Sequence, residues 1–196
     1  MLRCLRLASG LRAAIVLVQA GYLQETCVLL RTLQEFVHDL DLVIGGFIDE
    51  NVRPTLEKRV TEYFSHDMRT PADMMADTSK TASMPRKNVY AAVGRSLSPN
   101  NPYHLRQLTK AIEEAYSGYV HGAYQHTMEM YDGGRMCFST ADVSHSLQVG
   151  LPAIAMVMQP ALSGFADFAR SLGLKAIAEE LYDQRAAIEK SALYQS

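Results

Sequence analysis

Ser117, His121 and Tyr124 have the residue types and the spacing that could support catalysis. They stand at i, i+4 and i+7, so in a helix they share one face. The small residues Gly118 and Gly122 beside them would let another backbone approach closely. An imidazole held at such a crossing is a candidate catalytic group. The alternative is a purely structural histidine that donates a hydrogen bond to neighbouring backbone.

A second polar group, made of Arg31, Glu35 and His38, has the spacing of one face of another helix. Glu35-x-x-His38 is also the spacing that di-iron helical bundles use to bind metal. Those bundles need a second Glu-x-x-His and two more glutamates, whereas His126 and Glu129 stand in the reverse order. We therefore predict no metal and keep Glu35 and His38 as a polar cluster. The alternative is a simple Arg31–Glu35 ion pair on the helix surface.

Other motifs that indicate a cofactor or a known hydrolase are absent from the sequence. There is no glycine-rich phosphate loop, no GxSxG segment and no HExxH segment. Gly133-Gly134-Arg135 reads as a turn with a cation beside it. We predict no cofactor.

The elements that must position these residues are helices, because apolar residues recur every three or four positions along most of the chain. The second predicted helix has a continuous apolar stripe, and Gly45-Gly46 is expected to end it. Thr140 is expected to cap the helix that carries Pro152 and Pro160, and these prolines are expected to kink it. The predicted helices cover about residues 2–20, 22–44, 49–65, 102–131 and 141–170.

The last helix follows Gly173, with an inner face of Leu174, Ile177, Leu181 and Ile188. The middle of the chain, about residues 67–100, is irregular, with short helices expected at Pro71 and near Pro85. A mobile loop is predicted at about residues 67–84. The fold class is thus all-α: one domain over residues 1–196, a helical bundle of about five to seven helices.

Composition excludes some functions. The net charge of −2 argues against a DNA-binding surface, and it does not favour RNA, which stays a candidate ligand. Three scattered cysteines form neither a disulfide framework nor a zinc site. The apolar stretch 149–162 is too short to span a bilayer. We expect no membrane contact and a cytoplasmic location.

Two segments resemble uncharacterised bacterial helical proteins related to the HEPN superfamily. One is Leu29-Leu30-Arg31-Thr32-Leu33-Gln34-Glu35, which follows Ala20-Gly21-Tyr22, and the other is Tyr116-Ser117-Gly118-Tyr119-Val120-His121-Gly122. The resemblance spans about residues 10–130. It implies an up-and-down helical core that is often dimeric. Many members are metal-independent ribonucleases of toxin–antitoxin, phage-defence and RNA-processing systems.

The signature of that superfamily is an arginine followed by a polar residue, with a histidine and often a glycine further on. His121 and Ser117 match the histidine and the polar residue, but Tyr116 stands where the arginine should be. Metal-free RNA cleavage needs a base for the ribose hydroxyl and a cation for the phosphorane. Arg31, with His38 seven residues on, or Arg135 would have to supply that cation from another helix or from a second subunit.

Three functions remain open from the sequence. The first is a HEPN-like bundle that acts through protein–protein contacts as a homodimer, with little or no catalysis. The second is a ribonuclease of toxin or defence type that uses His121, with Ser117, Tyr124 and Arg31 in its site. The third is a metal or small-ligand binder built on Glu35 and His38.

Overall fold

The computed structural model describes residues 2–62, 64, 72, 85–97, 102–122, 127–128, 130–134, 137–138 and 141–191. Within them lie seven helices and one short strand pair. The helices are α1 (Leu2–Gln19), α2 (Leu23–Ile48), α3 (Arg53–Glu62), α4 (Arg86–Leu97), α5 (Pro102–Val120), α6 (Val143–Ser171) and α7 (Lys175–Lys190). Strand β1 (Tyr131–Asp132) pairs antiparallel with β2 (Cys137–Phe138). The prediction of an all-α bundle of five to seven helices is confirmed.

Contacts along the chain group it into two compact units. The first contains residues 1–40 and 110–196, and the second contains residues 41–109. Helices α2 and α5 therefore contribute residues to both units. A single domain over residues 1–196 stays a prediction, and the mobile loop predicted at residues 67–84 lies outside the described residues except for residue 72.

The core of the first unit is built from α1, α2, α5 and α6. The predicted stripe of α2 supplies much of it, because its apolar residues repeat with the helical period and all face inward. Gly150 lets α6 lie directly against Val18 of α1, where an added Cβ would collide with the valine. The buried apolar residues are Leu7, Ala14, Val18, Leu23, Cys27, Leu30, Leu33, Val37, Tyr116, Ile154, Val157 and Ala161.

The turn between α1 and α2 is held against the start of α6. Gly21 has φ +89, a conformation that glycine adopts without steric cost. Its carbonyl accepts a hydrogen bond from the Asp142 backbone nitrogen at 3.0 Å. The Asp142 carboxylate in turn caps α6 by accepting from the His145 nitrogen at 3.0 Å. The N-cap is thus Asp142, because its side chain reaches the first turn; the predicted cap, Thr140, lies outside the described residues.

The prediction that Gly45-Gly46 ends α2 is wrong, since the helix continues to Ile48. In the second unit Gly46 lies against Leu56 of α3, and a Cβ at position 46 would be 2.5 Å from Leu56 Cδ2. The missing side chain therefore serves close packing rather than a C-cap. Among the described residues of this unit, a core cluster is formed by Leu42, Val52, Val89 and Ala92, with Leu56 against it.

Helix α5 ends at Val120, about eleven residues before the predicted end near Tyr131. Gly122 has φ +60, which breaks the helical conformation, and Tyr131 lies in β1. Helix α3 begins at Arg53, about four residues later than predicted, and its predicted end near residue 65 lies outside the described residues. The helix expected near Pro85 is confirmed, because α4 begins at the next residue.

Helix α6 runs without interruption through Pro152 and Pro160. Within the described part of the chain it alone is long and apolar enough to cross a membrane by length and composition, with 39% of the tested window buried. The core helix of a soluble protein meets the same criteria. Nine residues of α6 are buried.

Helix α7 packs on α6 through Tyr182. The tyrosine hydroxyl donates a hydrogen bond to Asp167, and the Arg170 guanidinium lies 4.9 Å from the centre of its ring. Ala178, one turn before Tyr182 on the same side of α7, is buried. The predicted inner face is therefore partly wrong: Leu174 and Ile177 are 48% and 50% exposed, because the Ala178–Tyr182 side of the helix faces α6 instead.

Candidate functional site

The Arg31 guanidinium lies in a polar cluster that joins α2 to α5 in the first unit. Its side chain is only 9% exposed. Its Nε donates to Ser117 Oγ at 3.3 Å, and its Nη1 donates to Glu35 Oε1 at 2.9 Å. Its Nη2 donates to Glu113 Oε1 in a short, charge-assisted contact. We call these four residues the Arg31 cluster.

The Arg31 cluster places two carboxylates against one cation. Glu113 is 17% exposed and Glu35 is 37% exposed, so the pair with Glu113 is the more desolvated of the two. Removing one partner of a buried ion pair is costly, because the remaining charge loses its compensation. The arrangement therefore fixes Arg31 in position and offsets its charge.

His38 lies one turn beyond Glu35 on α2, and the charges of Glu113 and Arg31 affect its pKa. Its pKa is lowered from 6.5 to about 4, mainly because the imidazole is buried; the Glu113 carboxylate raises the pKa and the Arg31 guanidinium lowers it. The imidazole is therefore neutral at pH 7. Among the described residues no group of three or more His, Cys, Asp or Glu side chains is placed to hold a metal ion.

The lowered pKa of His38 predicts acid sensitivity. In the unfolded chain the His38 imidazole takes up a proton below pH 6.5. In the folded chain the same imidazole stays neutral until about pH 4. The contribution of His38 to the free energy of unfolding is thus fully present above pH 6.5. It falls as the pH drops toward 4, by up to about 3 kcal/mol. Urea unfolding at several pH values measures it. His38→Gln is expected to flatten the slope below pH 6.5, and an unchanged slope contradicts the assignment.

His121 lies at the end of α5, one turn beyond Ser117. Its backbone nitrogen donates to the Ser117 carbonyl oxygen at 3.1 Å, so helical spacing persists to this residue. Its side chain is exposed. Of the four candidate catalytic residues, Arg31 and Ser117 are in direct contact and His121 is one turn away. Tyr124 and Arg135 lie outside the described residues.

Tyr116 occupies the position where the resemblance calls for an arginine, and its environment explains the tyrosine. The side chain is 7% exposed and belongs to the apolar core. Its hydroxyl donates to the Ala153 carbonyl oxygen of α6 at 3.4 Å. An arginine here would place its charge in the core, whereas the guanidinium beside Ser117 comes from α2.

Glu113 is the cluster residue that the sequence did not single out. It stands four residues before Ser117, the same spacing as Arg31 and Glu35 on α2. That spacing was the available signal, because residues at i and i+4 share a helix face. The adjacent Glu114 obscured it, since only the structure shows that Glu114 is 67% exposed and pairs with Lys110.

Fold and site together define an all-α helical-bundle protein with a buried arginine–carboxylate cluster between two helices. No protein-family model matches the chain, and searches of curated proteins and of solved structures also found no match. The function therefore has to be inferred from the contacts and charges of the described residues.

Proposed function

We propose that this chain is a HEPN-like helical-bundle protein that acts through protein–protein contacts, as a homodimer, with little or no catalysis. The observation that carries the proposal is that the Arg31 guanidinium is already hydrogen-bonded within the chain. All three of its nitrogens donate to side chains of the chain itself, two of them to carboxylates. A metal-free nuclease needs that cation for the phosphorane.

The electrostatics support the same proposal. A phosphate that approached Arg31 would have to displace Glu35 or Glu113, and it would meet the negative charge of the other carboxylate. The net charge of −2 adds no general attraction for RNA. A protein that acts through contacts needs neither a free cation nor a basic surface.

Ribonuclease activity is the second candidate, and one contact favours it. Arg31 Nε donates to Ser117 Oγ, one turn before the exposed His121. The cation that Tyr116 cannot supply is thus present nearby, on another helix. In this candidate His121 is the base for the ribose 2′-hydroxyl, and Arg31 stabilises the phosphorane after leaving its carboxylates.

An RNA-cleavage assay separates the two functions. Purified protein is incubated with single-stranded RNA in EDTA at pH 7, and the products are resolved on a gel. We expect the wild-type chain and His121→Ala to leave RNA equally intact, within about twofold of buffer, because the cation is neutralised. Sedimentation of the same samples is expected to show a dimer.

Cleavage that requires both His121 and Arg31 would establish the nuclease instead. The matched control is His145→Ala, because His145 lies in the first turn of α6 and takes part in the Asp142 cap only through its backbone nitrogen. Cleavage that survives His121→Ala and Arg31→Lys, and varies between preparations, indicates a contaminating nuclease.

A further inference from the structure

The outward face of α1 combines exposed apolar and cationic side chains. Leu5 and Val16 are 60% and 64% exposed, and Arg6 and Arg12 are exposed beside them. On a helix, Leu5, Arg12 and Val16 fall within about 40° of arc, and Arg6 lies about 80° from Val16, at the edge of the exposed side. The sequence has no acidic residue before Glu25. We call these four residues the α1 outer face.

The outward face of α7 has the opposite charge. Between residues 176 and 187 this helix carries three acids and one base, Arg185, which pairs with Glu189 on another side of the helix. The exposed Lys190 follows in the last turn. Ile177, Glu180, Asp183 and Ala187 are exposed and recur every three or four residues, so they lie along one side. Ile177 is 50% exposed. We call these four residues the α7 acidic face.

Both faces belong to the first unit, and α1 and α7 each pack against α6. The packing leaves the outer sides of α1 and α7 to solvent. Among the described residues no hydrogen bond or ion pair is formed by Arg6, Arg12 or Asp183. Glu180 accepts a single hydrogen bond there, from Gln184 at 3.4 Å. Two exposed helix faces of the same unit thus carry apolar centres and opposite charge.

We infer that the α1 outer face of one copy of this chain docks on the α7 acidic face of a second copy. The inferred dimer is two-fold, with both faces on the interface side of each copy, so the contact is made twice. Burial of Leu5 and Val16 against Ile177 and Ala187 provides the driving force. The arginines opposite Glu180 and Asp183 provide register and specificity. The inference rests on the homodimer of the proposed function and assigns its surface.

Charge reversal on each side tests the pairing. One variant carries Arg6→Glu and Arg12→Glu, and the other carries Glu180→Lys and Asp183→Lys. Each alone places like charges across both contacts, and we expect its dimer to dissociate at least about tenfold more readily than the wild type. Sedimentation equilibrium of full-length chains measures the dissociation constant, and circular dichroism checks that each variant is folded.

Mixing the two variants gives the sharper result. In a mixed dimer each contact again joins opposite charges, with one of the two pairs reversed. We expect its dissociation constant to return to within about threefold of the wild type, and rising salt to weaken it. Lys58→Glu on α3 is the matched control, since Lys58 is exposed and outside both faces. It is expected to leave dimerisation unchanged.

Several results overturn the inference, and they differ from a failure of the proposed function. A wild-type dimer that ignores both variants, or variants that do not recover on mixing, places the interface elsewhere. A wild-type monomer contradicts both the surface and the homodimer. A monomer that binds vesicles of anionic lipid through Arg6 and Arg12 makes α1 a lipid-binding helix. RNA cleavage refutes the lack of catalysis and leaves the dimer surface standing.

Discussion

Replacing Glu113 by alanine is expected to lower the free energy of unfolding by about 2–4 kcal/mol. The change removes the carboxylate that faces Arg31 Nη2, while the arginine side chain remains only 9% exposed. Glu35 still accepts from Nη1, so part of the charge stays compensated. Urea unfolding at pH 7, followed by circular dichroism, measures the loss.

The adjacent Glu114 provides the matched control. It is an acid on the same helix, but it is 67% exposed and pairs with the exposed Lys110 at 3.3 Å. Glu114→Ala is expected to cost less than about 0.5 kcal/mol, because exposed ion pairs contribute little. Equal effects at positions 113 and 114 would contradict the buried cluster.

A double-mutant cycle with Arg31→Met isolates the pair itself. With Arg31 replaced by an apolar side chain, Glu113 no longer compensates a buried cation. The double variant is therefore expected to be more stable, by about 1–3 kcal/mol, than the sum of the single changes predicts. The same coupling energy bears on function, because any phosphate that binds Arg31 has to compete with it.

The helices and the apolar stripe of α2 could be predicted because their signal is local. Leu23, Cys27, Leu30, Leu33 and Val37 repeat with the helical period, and all are buried. The ends of the helices were harder to predict, since a glycine either ends a helix or permits close packing. Gly46 lies within α2 and against Leu56, where a side chain would collide. Gly122 ends α5 with a positive φ, and no atom of the described residues lies within 4 Å of an added Cβ.

The candidate site could be predicted only in halves. Spacing on a single helix selected Arg31 with Glu35, and separately Ser117 with His121. Whether the two pairs come together depends on which helices pack against each other, and Arg31 and Ser117 are 86 residues apart in sequence. The i, i+4 spacing to Ser117 favours Glu113, but Glu114 stands at i, i+3 from the same serine, so only burial by the neighbouring helix separates the two.

Replacing Gly150 by valine is expected to destabilise the chain by about 3 kcal/mol. Gly150 is where α6 lies directly against α1, and an added Cβ would collide with Val18 Cγ2 and lie 3.5 Å from Leu23 Cδ1. Val18 is fully buried, so it has no solvent space to move into. The two helices would have to separate, which weakens the rest of their contact. Thermal and urea unfolding both measure the effect.

Two companion variants show whether the cost comes from this contact. Gly133→Val makes the same change in an exposed turn, where, among the described residues, an added Cβ would meet Tyr131 Cε1 alone, at 3.9 Å; it is expected to cost less than about 1 kcal/mol. Val18→Ala opens space opposite position 150, so the double variant Val18→Ala/Gly150→Val is expected to recover about half of the loss. If Val18→Ala gives no rescue, α1 and α6 do not meet at Gly150. The α1 outer face would then lose the support that orients it for a second copy of the chain.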